Sequence, residues 1–174
     1  MKLRSATVGL AATGYEAELD APNSSPPGVD VADCHPRAAH PYPVILLPGT
    51  SYTVAETWQA LGPILANAGY CVYGLNYGQT TLTTATGGGG VPGVKLVSIE
   101  TTHDEVVTPY QSAFLDAPGA VNVTLQDQCP ADGTDHLGIA YDAVSLQDVV
   151  DALGPDSPGF APQCGLTLPL MGTP

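Results

Sequence analysis

Cations are scarce in this 174-residue chain: 4 Lys and Arg stand against 17 Asp and Glu, for a formal net charge of -13. A surface this acidic repels phosphate backbones and anionic headgroups, which argues against nucleic acid as a partner and leaves only apolar contact with lipid. No apolar run approaches the length of a membrane span, so no transmembrane segment is predicted. CxxC pairs, paired-His motifs and an Asp-x-Asp-x-Asp-Gly loop are all missing. Nothing therefore points to a zinc, calcium or redox site, and no cofactor is expected. There is no internal repeat.

What is present suits one domain, since 44% hydrophobic residues are enough to build a single packed core at this length. The four cysteines, Cys34, Cys71, Cys129 and Cys164, are widely spaced. They suit two disulfides in an oxidising compartment. Three pairings are open, and Cys34–Cys71 with Cys129–Cys164 is favoured because each bridge then closes one half of the chain. The alternative is four buried thiols in a cytosolic protein. Met1-Lys2-Leu3-Arg4 and the short apolar stretch after it, interrupted by Gly14, Glu16 and Glu18, read as a poor, damaged signal segment. Asn23-Ser24-Ser25 and Asn122-Val123-Thr124 fit the glycosylation acceptor pattern.

Residues 1–42 read as an irregular leader, and 43–174 as the domain. Pro43 to Leu47 is an apolar run of strand length, stopped by Pro48-Gly49-Thr50. Trp58, Leu61, Leu65 and Ala68 recur at helical spacing, with Gly69 as the C-terminal cap. Gly62-Pro63 is expected to split that segment into two short helices. Tyr70 to Leu75 reads as a second buried strand, and strand, helix, strand predicts a right-handed parallel unit. Residues 79–90 are Thr- and Gly-rich, show no helical face and read as a flexible junction. Strands are expected again at Val94–Ile99 and Val121–Leu125. Leu146, Val149, Val150 and Leu153 then form a helical stripe, with Asp142 as N-cap and Gly154-Pro155 as the stop. The tail from Gly159 reads as loop. The fold class is α/β, with a mostly parallel sheet flanked by helices.

Of four histidines, His35 and His40 lie in the Pro-rich leader and read as surface residues. His103 and His136 each follow a predicted strand, where sites assemble in open α/β sheets. Asp104 also lies just past a strand end. Acid first and histidine second is the order of Asp104 and His136 and also that of the α/β-hydrolase triad. In that chemistry the carboxylate fixes one imidazole tautomer and the imidazole takes a hydroxyl proton. Taken singly, an Asp after a strand is more often a turn residue, and a His before a helix a local hydrogen-bonding group. Pro48-Gly49-Thr50-Ser51 is a sharp turn entering a helix, the kind of place where backbone N–H groups can receive an oxyanion.

Val44-Ile45-Leu46-Leu47-Pro48-Gly49-Thr50, Trp58-Gln59 and Gly69-Tyr70-Cys71-Val72 resemble the opening of the class 2 secreted triacylglycerol lipases, yeast lipase B-like members of the α/β-hydrolase superfamily. Val91 to Lys95, His103 to Tyr110, Asn122 to Pro130 and Asp135-His136-Leu137 resemble that family's C-terminal third. The resemblance covers most of residues 23–164 in two blocks. It implies a secreted ester hydrolase acting on apolar substrates at a lipid–water interface in lipid catabolism. Asp104 would be the triad acid, His136 the base, Thr50 with Ser51 the oxyanion turn, and the favoured cysteine pairing agrees.

The departure is the nucleophile. The serines are Ser5, Ser24, Ser25, Ser51, Ser98, Ser112, Ser145 and Ser157, and none stands in the Gly-x-Ser-x-Gly elbow that family members carry between the two blocks. The elbow, its strand, the following helix and the cap are read as deleted at the 79–90 junction, which makes this a truncated α/β-hydrolase. Ser51 is a weak substitute, more simply a turn or helix-capping residue. The alternative to an active hydrolase is a catalytically dead lipase remnant, or a fragment from a faulty gene model, that at most binds apolar ligands. Loss of a mid-sheet strand predicts a marginal, partly uncovered fold.

Overall fold

The computed structural model describes residues 5–49, 52–76, 95–155 and 157–169. The chain divides into two compact units between residues 83 and 84, inside the predicted junction, which itself lies outside the described residues.

The first unit contains α1 (Ala11–Asp20), β1 (Val44–Leu46), α2 (Val54–Thr57), α3 (Leu61–Ala68) and β2 (Val72–Gly74). β1 and β2 pair in parallel, Val44 opposite Val72 and Leu46 opposite Gly74, as the strand–helix–strand pattern requires. The helical segment is split, but not at Gly62-Pro63 as expected. The break falls between α2 and α3, and Pro63 is the third residue of α3. There its missing N–H would have had no intrahelical partner, so proline costs little. Gly69 caps α3 with a left-handed φ of 98°. The start of α2 carries a capping box: Thr53 accepts from the Glu56 backbone N–H and the Glu56 carboxylate accepts from that of Thr53.

The stretch read as an irregular leader is stitched into this unit. α1 forms within it, and the Thr53 hydroxyl donates to Glu18 Oε2 (2.9 Å), fastening α1 to the head of α2. Val29 bridges Val72 in parallel, Asp30 N–H donates to the Val72 carbonyl (2.9 Å), and the Cys34–Cys71 disulfide closes behind them. Leu46, Val54, Leu61, Leu65 and Val72 are buried at the centre. α2 lies so close to β2 that a Cβ on Gly74 would stand 2.5 Å from Val54 Cγ1. Ile45, in β1, is 64% exposed and Leu75, just past β2, 57%.

The second unit holds β3 (Val97–Glu100), β4 (Val121–Thr124), α4 (Leu125–Gln128) and α5 (Ala143–Leu153), with 3-10 turns at Tyr110–Ala113 and Gly138–Tyr141. β3 and β4 are parallel, Glu100 opposite Thr124. Among the described residues the strands thus form two two-stranded parallel sheets, where the sequence suggested one. Helices and short parallel strands make the protein a mixed α/β structure. Leu125, Cys129 and Val144 form the core of this unit, with Ile99 and Ile139 packed against it. Asp142 caps α5 as predicted, one oxygen accepting from the N–H groups of Val144 (2.8 Å) and Ser145 (2.9 Å). Its other oxygen takes the Thr167 hydroxyl (2.9 Å), and the Cys129–Cys164 disulfide pins the tail a second time. Both bridges are those favoured from the sequence. The Asn122 amide, in one of the two acceptor motifs, is committed to the backbone of Leu115.

Candidate active site

β3 ends at Glu100, and the chain turns directly into Thr101-Thr102-His103-Asp104. Asp104 Oδ1 accepts from the N–H groups of Val106 (2.9 Å) and Val107 (2.7 Å), a turn closed by its own side chain. The turn-residue reading of Asp104 is therefore correct, and it does not exclude the other role. Both carboxylate oxygens also meet His136 Nδ1, at 3.0 and 2.9 Å. The partners lie 32 residues apart in the sequence, Asp104 on the turn after β3 and His136 on the loop that follows β4 and α4.

This geometry selects a tautomer. An ionised carboxylate only accepts, so Nδ1 must carry the proton, and neutral His136 is left with a lone pair on Nε2. The Asp104 side chain is 14% exposed and that of His136 34%. Burial pushes the Asp104 carboxyl up. The His136 hydrogen bond, the two backbone N–H groups and the imidazole charge together outweigh burial and hold it below its ordinary value. Asp104 is thus kept anionic, and can orient an imidazole and stabilise its protonated form.

The loop bearing His136 contains two buried acids, Asp132 and Asp135. Asp132 Oδ1 accepts from Thr134 N–H (2.8 Å) and Asp135 Oδ1 from Gly138 N–H (2.8 Å), each closing a local turn. Asp132, Asp135, Asp142 and Asp148 are all buried. The local signal for Asp132 and Asp135 was an Asp two or three residues before a backbone N–H that needs a partner, in a Gly- and Thr-containing stretch. Burial raises the Asp132 carboxyl, with neighbouring Asp142 adding to the shift. Glu100, at the end of β3, is also raised by burial. The neighbouring Ser98 hydroxyl donates to the Ala113 carbonyl (3.0 Å), and both Glu100 oxygens lack a hydrogen-bond partner among the described residues.

The remaining candidates fall elsewhere. His103 Nδ1 stands 3.5 Å from the Gln126 amide and takes no part in the pair. His40 is stacked on Tyr70 with ring centroids 3.8 Å apart, so it is a packing residue rather than a simple surface one. Exposed His35 lines a cleft of about 790 Å³ in the first unit, with Asp33, Arg37 and Asn67, which contains none of the predicted site residues. Thr50 and Ser51 lie outside the described residues, and the cap of α2 is Thr53.

Among the described residues no hydroxyl hydrogen-bonds the His136 ring. In the second unit Ser98 donates to Ala113, Ser145 to the Asp142 carbonyl (3.0 Å) and Ser157 to Pro155 (3.2 Å). The described residues include no cluster of three or more His, Cys, Asp or Glu able to hold a metal, and no helix long and apolar enough to cross a membrane. No protein-family model and no curated protein matches the chain.

Proposed function

We propose that the protein is the acid–base half of a carboxylic ester hydrolase: a truncated α/β-hydrolase, similar to the secreted triacylglycerol lipases, whose Asp104 and His136 are the triad acid and base. The Asp104–His136 contact carries this reading, because it commits Nδ1 to the carboxylate and leaves Nε2 to accept a proton. The substrate class is an apolar acyl ester met at a lipid–water interface. In sequence, Pro48-Gly49-Thr50-Ser51 resembles the oxyanion turn of that family. The two disulfides agree with a secreted protein. In the reaction His136 Nε2 takes the proton of an attacking hydroxyl and later returns it to the leaving alkoxide, while Asp104 stabilises the imidazolium between the two steps.

A second reading has its own observation. Without a Gly-x-Ser-x-Gly elbow there is no presented nucleophile and no second oxyanion donor, and an acid and base alone leave only residual catalysis. On that reading the chain is a lipase remnant that at most binds apolar ligands. Purified protein treated with a fluorophosphonate probe and with p-nitrophenyl butyrate separates the two. Labelling and turnover that disappear in His136→Ala establish the enzyme. An unlabelled, inactive wild-type protein in which both disulfides are formed establishes the remnant.

A further inference from the structure

The acid and the base of this site sit on two segments that share no regular hydrogen-bond ladder. Asp104 is on the turn after β3, and His136 is on the loop after α4. They meet directly only through side chains, where Asp104 accepts from His136 Nδ1 and Glu105 Oε2 accepts from the exposed His136 N–H at 3.3 Å. Two loops joined so sparsely would each sample many arrangements. We propose that Gln126 is the positioning residue that removes this freedom, its side-chain amide bracing the Asp104 turn against the His136 loop. The inference rests on the acid–base reading of Asp104 and His136.

The parallel register explains why this residue can reach. Glu100 is opposite Thr124, so Gln126, in the first turn of α4, stands beside the residues that follow β3. Its Oε1 accepts from Thr102 N–H at 2.8 Å. Its Nε2 donates to Thr101 Oγ1 at 3.0 Å and to the Asp132 carbonyl at 3.0 Å. Those two bonds use both hydrogens of the amide, and the acceptor side is used as well. Turning the amide over would set Nε2 against the Thr102 N–H and Oε1 against the Asp132 carbonyl, so the network admits one orientation.

The brace has a second strut. Thr101, fully buried, donates its hydroxyl to the Thr134 carbonyl at 2.7 Å and accepts from His103 N–H at 3.2 Å. One segment, 101–102, is therefore tied to 132–134 twice, once through Gln126 and once directly. Asp104 follows two residues after the first anchor, and His136 two residues after the second. Neither Gln126 nor Thr101 touches the imidazole of His136, so their effect on it passes through the two loops.

The test reads the tautomer of neutral His136 by ¹⁵N NMR of labelled, disulfide-bonded protein, with thermal unfolding measured on the same samples. Wild type is expected to show mainly the Nδ1–H form. Gln126→Met keeps the volume and deletes all three bonds. It is expected to lower the Nδ1–H to Nε2–H ratio about fivefold, the equivalent of one neutral hydrogen bond. Thr101→Val, isosteric and lacking only the hydroxyl, should move the ratio the same way, and it reads the same brace if Gln126→Met does not fold. Leu125→Ala, which cuts into the core beneath the same helical turn, should lower the melting temperature and leave the ratio unchanged.

If the ratio in all three variants simply follows the loss of stability, Gln126 is an ordinary structural residue and the proposal is overturned. An Nδ1–H wild type whose ratio survives Gln126→Met overturns it too. A wild type with His136 mainly in the Nε2–H form instead overturns the acid–base reading, so the two failures are distinguishable.

Discussion

Asp148 gives a sharp test of how the acidic interior of the second unit sets stability. It lies on α5, is only 6% exposed, and one of its oxygens has no hydrogen-bond partner among the described residues. Burial, with the Asp151 and Asp142 carboxylates adding to it against a hydrogen bond from Gln128, pushes its pKa from 3.8 to about 6. Between those values the native state binds a proton that the unfolded chain has released. Stability must therefore fall as pH rises through this window, by at most about 1.4 kcal/mol per pH unit. The accumulated cost above the native pKa is about 3 kcal/mol at the full shift, and nearer 2 once water penetration is allowed for. Asp104 has the opposite sign: its lowered pKa supports stability at higher pH and is lost only as pH falls below the ordinary carboxylate range. Asp148→Asn removes the charge and can keep the Gln128 contact. Urea unfolding of the oxidised protein, followed by circular dichroism from about pH 4 to about pH 8, should show the variant more stable by about 2 kcal/mol at the alkaline end and level with wild type at the acid end. Asp132 is raised in wild type and variant alike, so the difference between the two curves isolates Asp148. A variant that is less stable at pH 8, or whose pH slope matches the wild type, refutes the reasoning.

The bridges close segments of 37 and 35 residues, and each restrains the unfolded chain by about 4 kcal/mol on the loop-entropy relation. Paired Cys→Ser replacement of either bridge should cost most of that in urea unfolding, and a loss under about 1 kcal/mol would show that the reduced chain retains structure. Gly69→Ala puts a side chain on a residue with φ of 98° where the nearest atoms are 3.7 Å or more from the new Cβ. The expected cost is therefore backbone strain alone, about 1 kcal/mol in thermal unfolding, and a much larger loss would reveal a contact the geometry lacks.

Local sequence was enough where the physics is local. Val44–Leu46, Val72–Gly74, Val97–Glu100 and Val121–Thr124 are strands because β-branched and apolar residues are grouped between turn signals. Asp142 and Gly69 bound their helices because a side-chain oxygen or a missing Cβ satisfies a terminus without help from distant residues. The Thr53–Glu56 capping box was equally readable at its three-residue spacing, and marks the start of α2 better than the Trp58 stripe does.

What tertiary structure alone decided is everything that depends on partners far along the chain. α1 includes a glycine and has a weak apolar face, and it is anchored where Glu18 meets Thr53, 35 residues away. Pro63 reads as a breaker until the start of α3 is known, after which it is a tolerated first-turn residue. Chain order made Asp104 and His136 a candidate pair, but their contact exists only because the turn after β3 and the loop after α4 are brought together by the parallel β3–β4 pairing and the bonds between residues 101–102 and 132–134. Gln126 carried no signal at all, since a glutamine after a strand is unremarkable until the register sets it between two loops. Periodicity and capping report the free energy of short segments, whereas burial of charge and meeting of loops are set by contacts whose loop-closure cost the rest of the fold must meet.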